Sequence, residues 1–102
     1  MAVQLLLDET GKSVISPSMP IRPSKATLYP ITVVVAGGFG AGTVTVEVSP
    51  VNQRDVWVVK GTVAAAQALP FAIVISEPWE RIRAFTSPDF DGTVSVFVVP
   101  GA

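Results

Sequence analysis

The chain has 102 residues, of which 49% are hydrophobic and 15% are charged, and its net charge is −1. This composition excludes an intrinsically disordered protein, since disorder needs low hydrophobicity and high net charge, and the length fits one domain. The small net charge also argues against nucleic acid or an anionic membrane surface as a partner. The chain has neither Cys nor His, which removes disulfides, thiolate nucleophiles, Cys-ligated zinc and the commonest general base. We therefore expect no metal and no cofactor.

No stretch of the sequence has the length of a transmembrane helix. The longest apolar stretches, such as 31–36 and 69–75, fall well short of the ~18 residues that such a helix requires. The first residues lack the basic region and the long apolar run of a signal peptide. We expect a protein that is soluble by itself or becomes soluble by assembly.

Residues 1–25 form the first of two predicted units, a strand or hairpin followed by a Pro-rich arm. Residues 3–7 have the composition of a strand, and residues 11–15 could return as its hairpin partner. Prolines then recur at every third position from 17 to 23, which is the period of a polyproline II helix. Proline also lacks the N–H group that a central strand donates. We expect residues 16–25 to form an extended arm that contacts another chain and not its own core.

Residues 26–102 form the second predicted unit, a series of short strands punctuated by Gly and Pro. The pattern predicts strands over 27–35, 43–49, 56–60, 71–75, 80–85 and 92–99. The clearest is 43–49, in which Val44, Val46 and Val48 alternate with polar residues and so share one face. The Gly-rich stretch 37–42 predicts a hairpin turn with Phe39 at its exposed tip. Residues 64–68 favour a helix, but Pro70 limits it to about one turn.

The spacing of these strands decides the fold class. No crossover helix of about a dozen residues fits between them, so the strands are expected to be antiparallel. We predict an all-β fold: an antiparallel β-sandwich of seven or eight short strands, jelly-roll or immunoglobulin-like, with the Pro-rich arm at its N-terminus.

Two motifs that could bind ions are better explained as turns that lead into strands. The glycines at 37–42 lead into a strand, whereas a phosphate-binding loop leads into a helix. Asp89 and Asp91 stand before Gly92 as in a calcium loop, but the remaining oxygen ligands of such a loop are missing.

A pair of carboxylates raises the possibility of an enzyme. Glu77 and Glu80 flank Trp79, and a glycosidase uses two carboxylates across a cleft lined with aromatic rings. A small sandwich with short loops has little room for that cleft, and pairing of these carboxylates with Arg81 and Arg83 on the surface is favoured. We predict that the protein is not an enzyme.

Aromatic and proline residues suggest two recognition roles. Residues 17–22 match the P-x-x-P-x-R pattern that SH3 domains bind, although an arm lying on a neighbouring chain would have the same conformation. Trp57 and Trp79 could stack on sugars, but a buried core position is the more usual role of Trp in a sandwich. Basic and acidic residues are balanced, which argues against nucleic acid even if Arg54 lies near other arginines.

Four stretches of the sequence, at 42–50, 55–57, 80–85 and 91–96, together resemble the small β-sandwich structural proteins of tailed bacteriophage virions. The resemblance covers about residues 26–99. Members encoded near the capsid gene are often decoration, or cement, proteins that clamp neighbouring capsomers from outside, commonly as trimers. The resemblance implies a non-enzymatic protein on the outer surface of the capsid that binds and stabilises the lattice of the major capsid protein. Similar patterns occur in tail proteins and carbohydrate-binding modules, so a tail-associated or carbohydrate-binding adhesion module is the alternative.

The composition favours an assembly subunit for an independent reason. Few charged side chains are present to cover the surface of a small domain, and large exposed apolar patches usually mark interfaces. We expect the chain to self-associate, as a trimer, and to bind the major capsid protein. The candidates for contact with a partner lie in the arm, the Gly-rich turn and the loop at 50–55, and they are Pro17, Met19, Pro20, Ile21, Arg22, Pro23, Phe39, Asn52, Gln53 and Arg54.

Overall fold

The computed structural model describes residues 3–23, 28–51 and 56–101, and these ranges contain eight strands. The strands are β1 (Val3–Glu9), β2 (Met19–Pro20), β3 (Ile31–Ala41), β4 (Thr43–Ser49), β5 (Val58–Ala64), β6 (Phe71–Ile75), β7 (Arg81–Thr86) and β8 (Asp91–Val99). Sheet A has the order β1-β8-β3-β6, and sheet B has the order β2-β7-β4-β5. All pairings are antiparallel, and the described part of the chain has no helix. The predicted all-β sandwich of seven or eight antiparallel strands is confirmed.

The strands pair in a nested order. β1 pairs with β8, β2 with β7, β3 with β6, and β4 with β5. A chain paired in this way is one long antiparallel ribbon, and rolling the ribbon up brings β3 beside β8 and β4 beside β7. This strand order is that of a jelly roll and not of an immunoglobulin-like domain.

The core lies between the two sheets and is built by the alternation of side chains along each strand. In β4, Val44, Val46 and Val48 are buried, as the sequence predicts. The facing positions of β3, β7 and β8 are also buried. β-Branched side chains suit these positions because they pack well on a pleated surface. The inward-facing residues of those three strands are Ile31, Val33, Val35, Ile82, Ala84, Val94, Val96 and Val98.

The predicted hairpin between residues 3–7 and 11–15 is wrong. β1 pairs with β8, and the chain then crosses to sheet B, where Ile15 forms a bridge with Phe85. The backbone N–H of Val14 donates a hydrogen bond to Thr86 Oγ1 (2.9 Å) in the same crossing. Alternation in a sequence identifies the faces of a strand but not its partner, and the partner of β1 is the last strand of the chain and not the nearest one.

The Pro-rich segment is not a projecting arm over its described residues, 16–23. Its β2 pairs with β7, and the N–H groups of Ser16 and Ile21 donate to the carbonyls of Ala84 (2.8 Å) and Glu80 (2.9 Å). Ile21 is buried in the core and Met19 packs against it, so the expectation that this segment avoids its own core is wrong. Pro17 and Pro20 fall between the donating residues Ser16 and Ile21, and Pro23 follows them. An edge strand needs hydrogen bonds on one side only, and it therefore tolerates prolines.

The Gly-rich stretch 37–42 is mostly strand and not a turn. β3 continues to Ala41, and the chain turns into β4 at Gly42, where φ is 90°. Phe39, predicted at an exposed tip, is buried, and its ring centroid lies 5.0 Å from that of Phe90. Glycine is required here by close approach of two strands, because a Cβ atom on Gly37 would lie 2.3 Å from the carbonyl oxygen of Thr93 on β8.

Candidate functional site

The outer face of sheet A has a central patch of uncharged side chains on β3, β6 and β8. Two carboxylates border the patch: Asp91 is the exposed first residue of β8, and Asp8 of β1 accepts a hydrogen bond from Ser95 Oγ (3.3 Å). Along β3, β6 and β8 the outward positions alternate with the buried core positions and are paired side by side across the sheet. The most exposed large hydrophobic side chain on the face is Val74, at 61%. We call this surface the neutral face, and its residues are Thr32, Val34, Ala36, Ala72, Val74, Thr93, Ser95, Phe97 and Val99.

The outer face of sheet B has the opposite character. Glu47 of β4 lies beside Arg83 of β7, with Arg83 Nε 2.9 Å from Glu47 Oε1. Arg81, the next outward residue of β7, donates from Nε to the carbonyl of Val51 (3.3 Å). Both members of the Glu47–Arg83 pair are largely buried, so the pair is well shielded from solvent screening. We call Glu47, Arg81 and Arg83 the charged face.

Trp57 is half-buried over the charged face and is not a core residue. The guanidinium carbon of Arg83 lies 4.0 Å from the centre of the Trp57 ring, and that of Arg81 lies 5.0 Å from it. A guanidinium at these distances is attracted by the ring quadrupole. The expectation of a core Trp is therefore wrong at this position, because β7 places its arginines on the outward side where a flat ring can cover them.

Trp79 is also half-buried and lies at the wall of a cleft of about 230 Å³. The other wall residues are Pro23, Pro50, Pro78 and Glu80. The Trp79 indole N–H donates to Glu77 Oε1 (3.3 Å), and Lys60 Nζ lies 5.7 Å from the ring centre. Each of the two tryptophans thus has a cation near its ring, whereas a sugar platform presents an open aromatic face.

The two carboxylates beside Trp79 are each paired with a cation. Glu77 forms an ion pair with Lys60, and Glu80 Oε2 lies 3.5 Å from Arg22 Nε. The hydrogen bond from Lys60 is the largest cause that lowers the pKa of Glu77 below its ordinary value. A glycosidase acid needs a raised pKa, so this arrangement is that of a surface ion pair.

The acidic loop before β8 is held by its own hydrogen bonds. Asp89 Oδ1 accepts a hydrogen bond from Ser87 Oγ (2.6 Å), which lowers the pKa of Asp89. Ser87 Oγ also accepts from the N–H of Thr43 (2.9 Å) and so ties this loop to the start of β4. Within residues 3–23, 28–51 and 56–101, no three carboxylates are grouped so that they could hold a metal ion.

The predicted partner-contact residues differ in their solvent exposure. Phe39 and Ile21 are buried, and Met19 is half-buried. The side chains of Pro17, Pro20, Arg22 and Pro23 are exposed, whereas Asn52, Gln53 and Arg54 lie outside the described residues. Sequence reasoning missed the neutral face because that face is assembled from three strands that are distant in the chain.

Tyr29 joins the Pro-rich segment to the connection between β6 and β7 that carries Trp79. Its hydroxyl donates to the carbonyl of Ile21 (2.7 Å) and accepts from the N–H of Trp79 (3.1 Å). Partial burial is the largest cause that raises the Tyr29 pKa above its ordinary value.

We expect Tyr29→Phe to lower the free energy of unfolding by about 1–2 kcal/mol at neutral pH, because both backbone groups lose a partner. Tyr29 has a raised pKa in the fold, so the stability that it gives is complete below about pH 10 and is lost as the pH rises through the folded pKa. Tyr29 is the chain's one tyrosine, so tyrosinate absorbance follows its titration directly. Urea unfolding of both proteins between neutral and alkaline pH measures the difference, and a gap between them that stays constant above pH 10 would contradict the assignment.

Comparison of the chain with protein-family models, with curated proteins and with solved structures finds no match. Among the described residues, no helix is long and apolar enough to cross a membrane.

Proposed function

We propose that the chain is a non-enzymatic structural protein that decorates a viral capsid, binding the assembled lattice of the major capsid protein and stabilising it. The observation that carries this proposal is the neutral face, whose own residues are all uncharged, on a protein whose other sheet carries an ion pair on its outer face. An uncharged surface has a small free-energy cost of desolvation when it is buried against a partner. The location that follows is the outer surface of the capsid.

The size of the neutral face supports binding to a repeating lattice. At about 4.8 Å between strands and 3.4 Å per residue, three strands over seven residues present roughly 350 Å². Two such surfaces in contact bury about 700 Å², which is less than the roughly 1,200 Å² of a stable pairwise interface. A contact of this size is weak when single and becomes effective when the surface of an assembled shell offers it repeatedly. Binding to the assembled state alone stabilises that state by mass action.

The topology is compatible with this role and with its alternative. Jelly rolls occur among viral capsid proteins and also among lectins, and a fold by itself does not decide a function. A cation lies near the rings of Trp57 and Trp79, and this favours the structural role over the carbohydrate-binding or tail-associated adhesion module.

The test compares Thr32→Lys, on the neutral face, with Thr62→Lys, an exposed threonine on β5 of the other sheet. Shells of the major capsid protein are sedimented with each variant and then heated until they rupture. We expect the parent chain and Thr62→Lys to sediment with the shells and raise the rupture temperature. Thr32→Lys should do neither, because it would place an ammonium group in an apolar contact. Equal rupture temperatures with and without the parent chain, or its localisation to the tail, would refute the proposal.

A further inference from the structure

The sandwich has four edge strands, and three of them carry features that prevent pairing with another strand. β1 has two register irregularities, between Gln4 and Leu6 and between Leu6 and Glu9, and its Asp8 has a positive φ of 48°. β2 is two residues long and lies among the prolines at 17, 20 and 23. Short length, proline and bulges are the devices by which proteins keep exposed edges from pairing.

β5 is protected in the same way. Its pairing with β4 is irregular between Val46 and Glu47, and Lys60 stands in the middle of the strand. A bulge twists the edge, and a lysine on it opposes a second strand.

β6 has none of these devices within its own five residues, and Pro70 stands directly before it. Its five residues, Phe71–Ile75, pair with Ile31–Val35 of β3 in unbroken register. The strand contains no charged residue, no proline and no glycine. Within the described residues its second edge is not paired with any strand. An uncharged edge strand whose outer N–H and C=O groups pair with no described strand is a template for strand addition.

Exposed valines lie on β6 and on its neighbour β5. Val74 is 61% exposed, and Val58 and Val59 on β5 are 41% and 55% exposed. β5 lies against β6, since a Cβ atom on Gly61 would meet Ile73 Cδ1 at 2.6 Å. The exposed valines of β5 and β6 therefore lie on two strands that contact each other at Gly61 and Ile73.

We propose that two copies of the chain pair through β6, antiparallel and about a two-fold axis, so that their two A sheets form one continuous eight-stranded sheet. A two-fold axis requires both copies to use the same surface, and pairing of β6 with β6 meets this requirement. Because β6 carries no charge, the two strands do not repel each other electrostatically. A register centred on Ile73 sets Val74 of one copy opposite Ala72 of the other. A three-fold arrangement built by strand pairing would require β6 to meet one of the protected edges, so pairing through β6 favours a dimer over the trimer that the resemblance implies.

The pairing goes beyond the proposed function and does not depend on a capsid. It joins the neutral faces of two copies side by side and so doubles the uncharged area, from roughly 350 to about 700 Å² per dimer. A dimer would then meet a lattice with two linked contacts in place of one.

The first test is the mass of the free protein by sedimentation equilibrium over a range of concentrations. We expect a shift from the 10.7 kDa monomer to twice that mass. Val74→Lys should raise the dissociation constant at least tenfold, because it brings two ammonium groups near the axis. Leu7→Lys is the matched control, since Leu7 is 57% exposed on β1 at the opposite edge of the same sheet, and it should dimerise like the parent. If Val74→Lys does not fold, Ala72→Lys, at the neighbouring outward position, takes its place.

Amide hydrogen exchange distinguishes edge pairing from packing of the faces. On dimerisation, every second amide of β6, those that do not bond to β3, should become protected. A chain that is monomeric at millimolar concentration, a trimer mass, a dimer unaffected by the charge on β6, or a dimer without this alternate protection would each overturn the pairing. A monomer that still binds shells refutes the pairing alone, whereas a dimer that ignores shells refutes the proposed function alone.

Discussion

Replacement of Gly92 by alanine is expected to lower the free energy of unfolding by at least about 3 kcal/mol. Gly92 has a φ of 138°, and a Cβ atom there would lie 2.3 Å from Phe39 Cα and 2.6 Å from the carbonyl oxygen of Gly38. A residue with a side chain in such a backbone conformation costs about 1–3 kcal/mol by itself. The atoms that it would meet belong to the backbone of β3, so the clash is relieved only by separating β3 from β8.

Gly38→Ala is the matched control for this prediction. Gly38 lies on the same pair of strands, opposite Thr93, and a Cβ atom there would have no neighbour within 4 Å. We expect this variant to stay within about 0.5 kcal/mol of the parent. Urea denaturation with equal m-values measures both. Equal losses in the two variants would show that glycine at 92 is dispensable to the strand contact.

The regular strands could be predicted from the sequence because their pattern is local. β4 and β6 have the bounds that alternation and composition predict, at 43–49 and 71–75. β4 lies directly between Gly42 and Pro50, and β6 directly follows Pro70. The prediction was accurate where the residue types, the period of two and the turn signals agreed.

The errors arose where one residue type has two structural meanings. Glycine marks a turn, but it also permits close approach of two strands, and at Gly37 the second meaning applies. Proline excludes a central strand but not an edge, and the segment at 16–23 is an edge. Neither choice can be made without knowledge of the strand that lies alongside.

The residues predicted to contact a partner and the neutral face lie in different parts of the fold. The low charge of the chain predicts an apolar interaction surface, and the neutral face is the surface that we propose for this role. The predicted partner-contact residues lie in the Pro-rich segment and the loops, because those segments have no local partner in the sequence. The neutral face depends on pairing of β8 with β3, which are separated by about half of the chain, and alternation alone does not reveal such pairing.

Ile21→Ala is expected to lower the free energy of unfolding by about 2–5 kcal/mol. Ile21 is 1% exposed and is among the largest fully buried side chains in the described part of the chain. Its N–H donates to the carbonyl of Glu80, and its carbonyl accepts from the Tyr29 hydroxyl, so the backbone around the cavity is fixed. A cavity that cannot collapse has the larger cost. Domains of this size have about 5–15 kcal/mol of stability in total, so the loss is a large part of it.

Arg22→Ala tests the other side of the same segment. The Arg22 side chain is 58% exposed and its contact with Glu80 is a surface ion pair of 3.5 Å, which contributes at most about 1 kcal/mol. Thermal unfolding of the two variants therefore separates the contribution of the segment to the fold from that of its exposed side chains. Full stability of Ile21→Ala would mean that the segment does leave the core, as an arm reaching another chain would. Loss of stability in Ile21→Ala alone would instead limit partner contact to the exposed residues Pro17, Pro20, Arg22 and Pro23. These four can touch a partner while β2 stays paired with β7, so binding through this segment does not require the sandwich to open.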